Sequence, residues 1–170
     1  YFPIGAMIIT PFLGFFLDRK GKGATMLIAG SVLMVACHLI FAIYPFEVGS
    51  SSSSTVAFLA IVLLGISFSL VPATLWPSVP KLIDSKVLGS AYSAIFWIQN
   101  VGLMSVPVVI GGVLDSVNKD IPAGQPMDYT LAMLIFESFG VVAFVLSAFL
   151  KAVDSKKGYG LELPNVTESK

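Results

Sequence analysis

Five stretches of this chain, residues 1–17, 24–45, 55–76, 88–114 and 128–150, are nearly free of charged side chains and separated by polar or Gly/Pro/Ser-rich connections. A bilayer core takes roughly 20 apolar residues to cross as helix, at about 1.5 Å per residue. In hydrocarbon the backbone must satisfy its own hydrogen bonds, which a helix does within one segment. The runs therefore predict an all-α, multi-pass transmembrane helix bundle over 1–150, followed by a disordered tail over 151–170. Composition points the same way: 56% of the 170 residues are hydrophobic and 12% charged, where a soluble domain has about 25% charged.

The charged residues that remain are unevenly placed. Arg19, Lys20, Lys22, Lys81, Lys86, Lys151, Lys156, Lys157 and Lys170 fall in alternate connections and the tail, and only Lys119 falls opposite. Basic residues are retained on the cytoplasmic side of short loops. Connections 18–23 and 77–87 and the tail are thus expected in the cytoplasm, with 46–54 and 115–127 outside or in a lumen. There Glu47, Asp115, Asp120 and Asp128 make that face negative. The Asn165-Val166-Thr167 glycosylation pattern would then face the wrong side for its transferase. Net charge is zero, and no basic stretch interleaved with aromatics is present, so nucleic acid is set aside. One cysteine, Cys37, and one histidine, His38, cannot build a disulfide or a thiolate and imidazole metal cage. No cofactor is expected. Tyr1 opens inside an apolar run without a basic region before it, unlike a signal peptide, so an upstream part is expected.

Within the runs, Ser50–Ser54 beside Gly49 reads as a short flexible loop. Pro72, Pro77 and Pro80 crowd the third run and Pro107 interrupts the fourth, removing backbone donors and allowing bends.

The tightest local pattern is Gly14-Phe15-Phe16-Leu17-Asp18-Arg19-Lys20-Gly21-Lys22, a helix end, a charged turn and a new helix start. Gly14 would let a neighbouring helix approach, and Gly21 would supply the positive backbone dihedral of a tight turn. Asp18 can face the positive end of another helix, while Arg19 and Lys22 sit at the anionic lipid surface. These five residues could form a conformational latch between two bundles; a plain basic loop is the alternative.

With its spacing Gly-x-x-x-Asp-Arg-x-Gly-Lys, this segment resembles the loop motif of the major facilitator superfamily, although Gly23 stands where the superfamily usually adds a further base. In that superfamily the motif joins spans two and three and recurs between spans eight and nine. Four runs follow it here, so the resemblance implies the C-terminal half of a twelve-span fold, the five runs being spans eight to twelve and the amino-terminal half lying outside this chain. Further pieces, Leu63-Leu64-Gly65, Leu75-Trp76-Pro77, Leu88-Gly89, Ile98-Gln99-Asn100 and Leu114-Asp115-Ser116, resemble a branch that moves dipeptides out of the lysosome. That likeness implies a small-molecule substrate, a lysosomal membrane location and an accessory glycosylated lysosomal membrane protein as partner.

Tyr92, Phe96, Gln99, Asn100 and Leu103 recur at helical spacing along one face of the fourth run. An amide facing lipid leaves donors and acceptors unmet at a cost of a few kcal/mol, so Gln99 and Asn100 should face protein or water. They either line a solute path or join helices. Trp76, at the end of the third run, either anchors at the headgroups or closes that path. Tyr92, Phe96, Gln99, Asn100 and Trp76 are the candidate substrate-binding residues. Trp97 lies on another face. Gly89 with Ser93 and Ser90 with Ala94 would permit close helix contact. Glu137 and His38 are ionisable groups inside runs, open to a functional role or to helix packing; for His38 a bond to another helix is the expectation.

Alternating access joins paired bundles, a latch and amides on an inner helix in one reading, that of a solute transporter. A nontransporting receptor or scaffold on the same fold is the alternative. An intramembrane enzyme would need a nucleophile with its base, paired carboxylates or a metal cluster, and these runs offer none of them.

Overall fold

The computed structural model describes residues 2–122 and 124–166, with side chains from Gly5 onward. Five helices lie over the five apolar runs: α1 (Phe2–Lys20), α2 (Gly23–Ile43), α3 (Ser51–Leu82), α4 (Leu88–Asn118) and α5 (Thr130–Lys157), with one 3-10 turn at Ser85–Val87. Among the described residues α2, α3, α5 and the unit Ser85–Asn118 are long and apolar enough to cross a membrane.

The packing centres on α2, which lies against both α3 and α5, while α1 lies against α3. Small residues set these approaches. A Cβ on Gly30 would meet the Leu70 Cβ at 3.3 Å, and beside it the Ser67 hydroxyl donates to the Gly30 carbonyl at 2.7 Å. On the other side of α2, a Cβ on Gly140 of α5 would come within 2.8 Å of Val35 Cγ2. On α3 the Ser69 hydroxyl donates to Gly65 O at 2.9 Å and lies 3.4 Å from Ala6 O of α1. Buried serines and glycines, more than large apolar side chains, thus mark the seams, the usual solution where lipid removes the hydrophobic drive between helices.

Two expectations are corrected. The serine run is not a flexible loop: Ser50 is the N-cap of α3, its hydroxyl accepting from the Ser53 amide, and Ser51–Ser54 form the first turn. A serine oxygen can take up a free amide at a helix start, which suits these residues to a cap as well as to a linker. Ser53 is buried, and its hydroxyl accepts from the Glu47 amide at 3.0 Å.

The tail from 151 is not disordered as far as residue 166. Residues 151–157 complete α5, and a strap over 158–166 folds back across the α1–α2 turn. Gly158 and Gly160 turn the chain at φ 70° and 82°, and Leu161 inserts its side chain, 1% exposed. The physical reason lies at the start of α2. Its N-cap position, Lys22, sits in the left-handed region at φ 71° and has no capping side chain, so the first-turn amides need outside acceptors. The strap supplies them. Lys22 N donates to Glu162 O at 3.0 Å and Gly23 N to Leu161 O at 3.0 Å. The Glu162 carboxylate accepts from Thr25 N and from Thr25 Oγ1, each at 2.8 Å. Thr167 of the glycosylation pattern and Lys170 lie outside the described residues.

Candidate functional site

The candidate substrate-binding residues gather where α3 meets α4. Trp76 and Phe96 stack with ring centroids 4.9 Å apart, and Trp76 and Tyr92 meet at 5.9 Å and 45°. A missing donor draws Tyr92 to this place. In a helix the Trp76 carbonyl would accept from the amide of residue 80, and residue 80 is a proline with none. The Tyr92 hydroxyl donates to Trp76 O instead, at 3.1 Å. The proline thus lets the fourth helix fasten to the third through a side chain.

One turn farther along α4, Gln99 borders two cavities. The first, of about 530 Å³, lies between α2, α3 and α4, with Phe68, Trp76 and Ile98 among its lining. The second, of about 680 Å³, lies between α4 and α5, with Val106, Pro107 and Phe136 around it. Gln99 lines both; the first also has Ser67, which spends its proton on Gly30 O. No described residue hydrogen-bonds the Gln99 amide, which leaves it free for water or a solute. Asn100 is placed differently. Exposed like Gln99, its side chain borders neither cavity and donates to Phe96 O of its own helix at 2.7 Å. Gln99 therefore shares a cavity lining with Trp76, and Asn100 turns its amide back to its own helix.

The five residues of the expected latch are divided. Gly21, at φ 72°, forms the turn, and a Cβ there would fall on the backbone of Glu162 and Leu163. Asp18 meets the strap: Asn165 Nδ2 donates to its carboxylate at 3.0 Å and Val166 N to its carbonyl at 3.2 Å. Arg19 lies over the Phe15 ring, 4.4 Å from its centroid, and the Lys22 side chain is exposed. Gly14 has nothing within 4 Å, so no described residue uses the close approach it would allow; the same is true of Gly89.

His38 is buried, with Nδ1 2.8 Å from Met34 O and its ring 5.5 Å from Phe136. It bonds its own helix, not a neighbouring one, because the carbonyl four residues back is within reach of the imidazole. Glu137 lies half-buried on α5. Cys37 is fully buried and unpaired, and no group of metal-ligating side chains occurs among the described residues. Sequence reasoning missed the tie from Tyr92 to Trp76 and the strap. The first was signalled by a proline four residues after an aromatic, the second by a helix start without a capping side chain.

The lysosomal dipeptide transporter MFSD1 of Danio rerio is 27% identical over 161 residues, covering 95% of this chain and 31% of that protein. MFSD1 of Bos taurus is 30% identical over 108 residues, 64% of this chain and 21% of that protein. The resemblance to the major facilitator superfamily is shown. The glucose transporter GlcP of Staphylococcus epidermidis extends it beyond MFSD1, at 27% identity over 150 residues, 86% of this chain and 29% of GlcP. This chain thus spans a third or less of the length of the MFSD1 and GlcP proteins it matches. No family model matches it, and no solved structure matches it. The names of the MFSD1 and GlcP relatives are those of solute transporters.

Proposed function

We propose that this chain forms one wall of a secondary transporter that moves small organic solutes across a membrane by alternating access, and that the solute is a dipeptide carried out of the lysosome. The observation that carries the reading is the unpaired Gln99 amide, set beside the Trp76, Tyr92 and Phe96 cluster at the border of two apolar cavities. A free amide in hydrocarbon costs a few kcal/mol, which water or a peptide group in a path removes. No residue of α4 is buried within this chain, which suits a helix that faces a path and a second bundle. Phe96 and Trp76 can pack a solute's apolar side chain, and Gln99 can hydrogen-bond its amide, amine or carboxylate, with Asn100, already bonded to Phe96 O, the lesser contributor. The dipeptide rests on the likeness to MFSD1, and an accessory glycosylated membrane protein belongs to the same reading.

The test is uptake of labelled dipeptide into vesicles holding the full-length protein, with glucose and free amino acids in the panel because GlcP is also a relative. Saturable dipeptide uptake is expected. Uptake of glucose alone would replace the substrate, and no uptake of any solute would favour a receptor or scaffold.

A further inference from the structure

The strap reaches more of the bundle than the helix start it caps. Lys81, at the end of α3, donates through Nζ to Gly160 O at 3.0 Å and Leu163 O at 2.8 Å. On α5, the buried Asp154 accepts from Leu161 N at 3.1 Å, and Lys151 donates to Thr25 Oγ1 of α2 at 2.6 Å. With Asp18 held by Asn165 and Val166, one short segment bonds α1, α2, α3 and α5 at their shared basic end. The helix it leaves out is α4.

That omission coincides with how α4 sits elsewhere. It has no buried residue. At the basic end it follows α3 through Ile83–Asp84 and the turn Ser85–Val87, where the Asp84 carboxylate accepts from Lys86 N, inside the turn. Its named ties to the rest are the Trp76 contacts near that end and, at the other end, the pair of bonds between the Asn118 side chain and the Asp128 backbone. Between these points it is flanked by the two cavities. Four helix ends sewn together by charge-assisted and backbone hydrogen bonds open rarely.

We infer that residues 158–166 are a clamp that makes the basic ends of α1, α2, α3 and α5 one body, from which α4 is left out. The clamp stands on these hydrogen bonds alone and does not rest on the function proposed above.

The experiment uses the full-length protein in lipid nanodiscs with no solute added, so it reads the clamp whether or not transport occurs. Hydrogen exchange is compared between the native protein and a chain ended after Lys157. The amides of Lys22, Gly23 and Thr25 are expected to exchange about tenfold faster or more without the strap, while those of α4 stay unchanged. Glu162→Ala, which keeps the chain length, should release Thr25 and serves where the shortened chain does not fold. Spin labels at Lys20→Cys with Lys156→Cys should give one narrow distance, which broadens in the chain ended after Lys157. Unchanged exchange in both variants would overturn the clamp, and so would a distance as narrow without the strap as with it.

Discussion

The turn between α1 and α2 and the helix α4 are both rich in glycine, yet their glycines do opposite things. At the turn, Gly21 and Gly23 are crowded by the strap backbone; a Cβ on Gly23 would lie 2.8 Å from Leu161 O. Along α4, Gly89, Gly102, Gly111 and Gly112 have nothing within 4 Å. Glycine at the turn serves contacts that this chain completes by itself. On α4 it leaves room that this chain does not fill. The difference separates a region whose structure is closed from one that stays open for a path, a second bundle or lipid.

Substitutions can break that contrast. Gly21→Ala should have the largest effect, because an L side chain pays for the positive φ and also displaces the strap; a loss of about 3 kcal/mol in the thermal stability of the full-length protein is expected. Gly14→Ala, on the same motif but in helix and open space, should be neutral or stabilising by up to about 1 kcal/mol. If both variants melt alike, the strap does not need Gly21. Next comes Gly140→Ala, which presses on Val35 across the α2–α5 seam and should cost about 2 kcal/mol, against no loss for Gly111→Ala on α4. A large loss at Gly111 would show that α4 is closed by a partner in the full protein, and would sharpen the comparison by locating it.

The site tests are smaller in energy and read transport. Gln99→Leu should lower uptake about tenfold, which corresponds to roughly 1.4 kcal/mol, with insertion and melting unchanged. Asn100→Leu should lower it less, since Asn100 already bonds Phe96 O. Unchanged uptake in both would remove the amides from the path.

The smallest effect lies in the connection before α5. The Thr130 side chain and then its amide donate to the Asp128 carboxylate and hold its pKa below the ordinary 3.8. A depressed carboxylate contributes stability above its unfolded pKa and loses it as pH falls through the folded one. The melting difference between the native protein and Asp128→Asn should therefore be constant near neutral pH and close as the pH drops below 3.8. A difference that persisted unchanged to pH 2 would contradict that bond.

Apolar length made the five helices legible, because hydrocarbon leaves the backbone little choice. Their ends were less so. α3 starts at Ser51 and not at 55, and runs to Leu82 and not 76, since serine serves a cap as well as a linker and a helix in lipid tolerates proline. The helix continues through Pro72, Pro77 and Pro80; in the case of Pro80 the orphaned carbonyl finds Tyr92. Helical spacing put Tyr92, Phe96 and Gln99 on one face; the structure brings Tyr92 and Phe96 to Trp76 and Gln99 to the cavities. Asn100 shared that face only by one residue's step, about 100° of helix, enough to turn it away. The strap went unread because its partners are 137 residues distant, as with Thr25 and Glu162, and an uncapped helix start does not say which segment will cap it.

Whether α4 lines a wet path is tested most directly by placing single cysteines in the full-length protein at Gln99 and at Trp97, which is 71% exposed on another face, and treating intact vesicles with a membrane-impermeant thiol reagent. Rapid labelling of Gln99→Cys, slowed by dipeptide, with Trp97→Cys inert in lipid, is the predicted result. Labelling of Trp97→Cys alone, or labelling at Gln99→Cys that no solute slows, would contradict it.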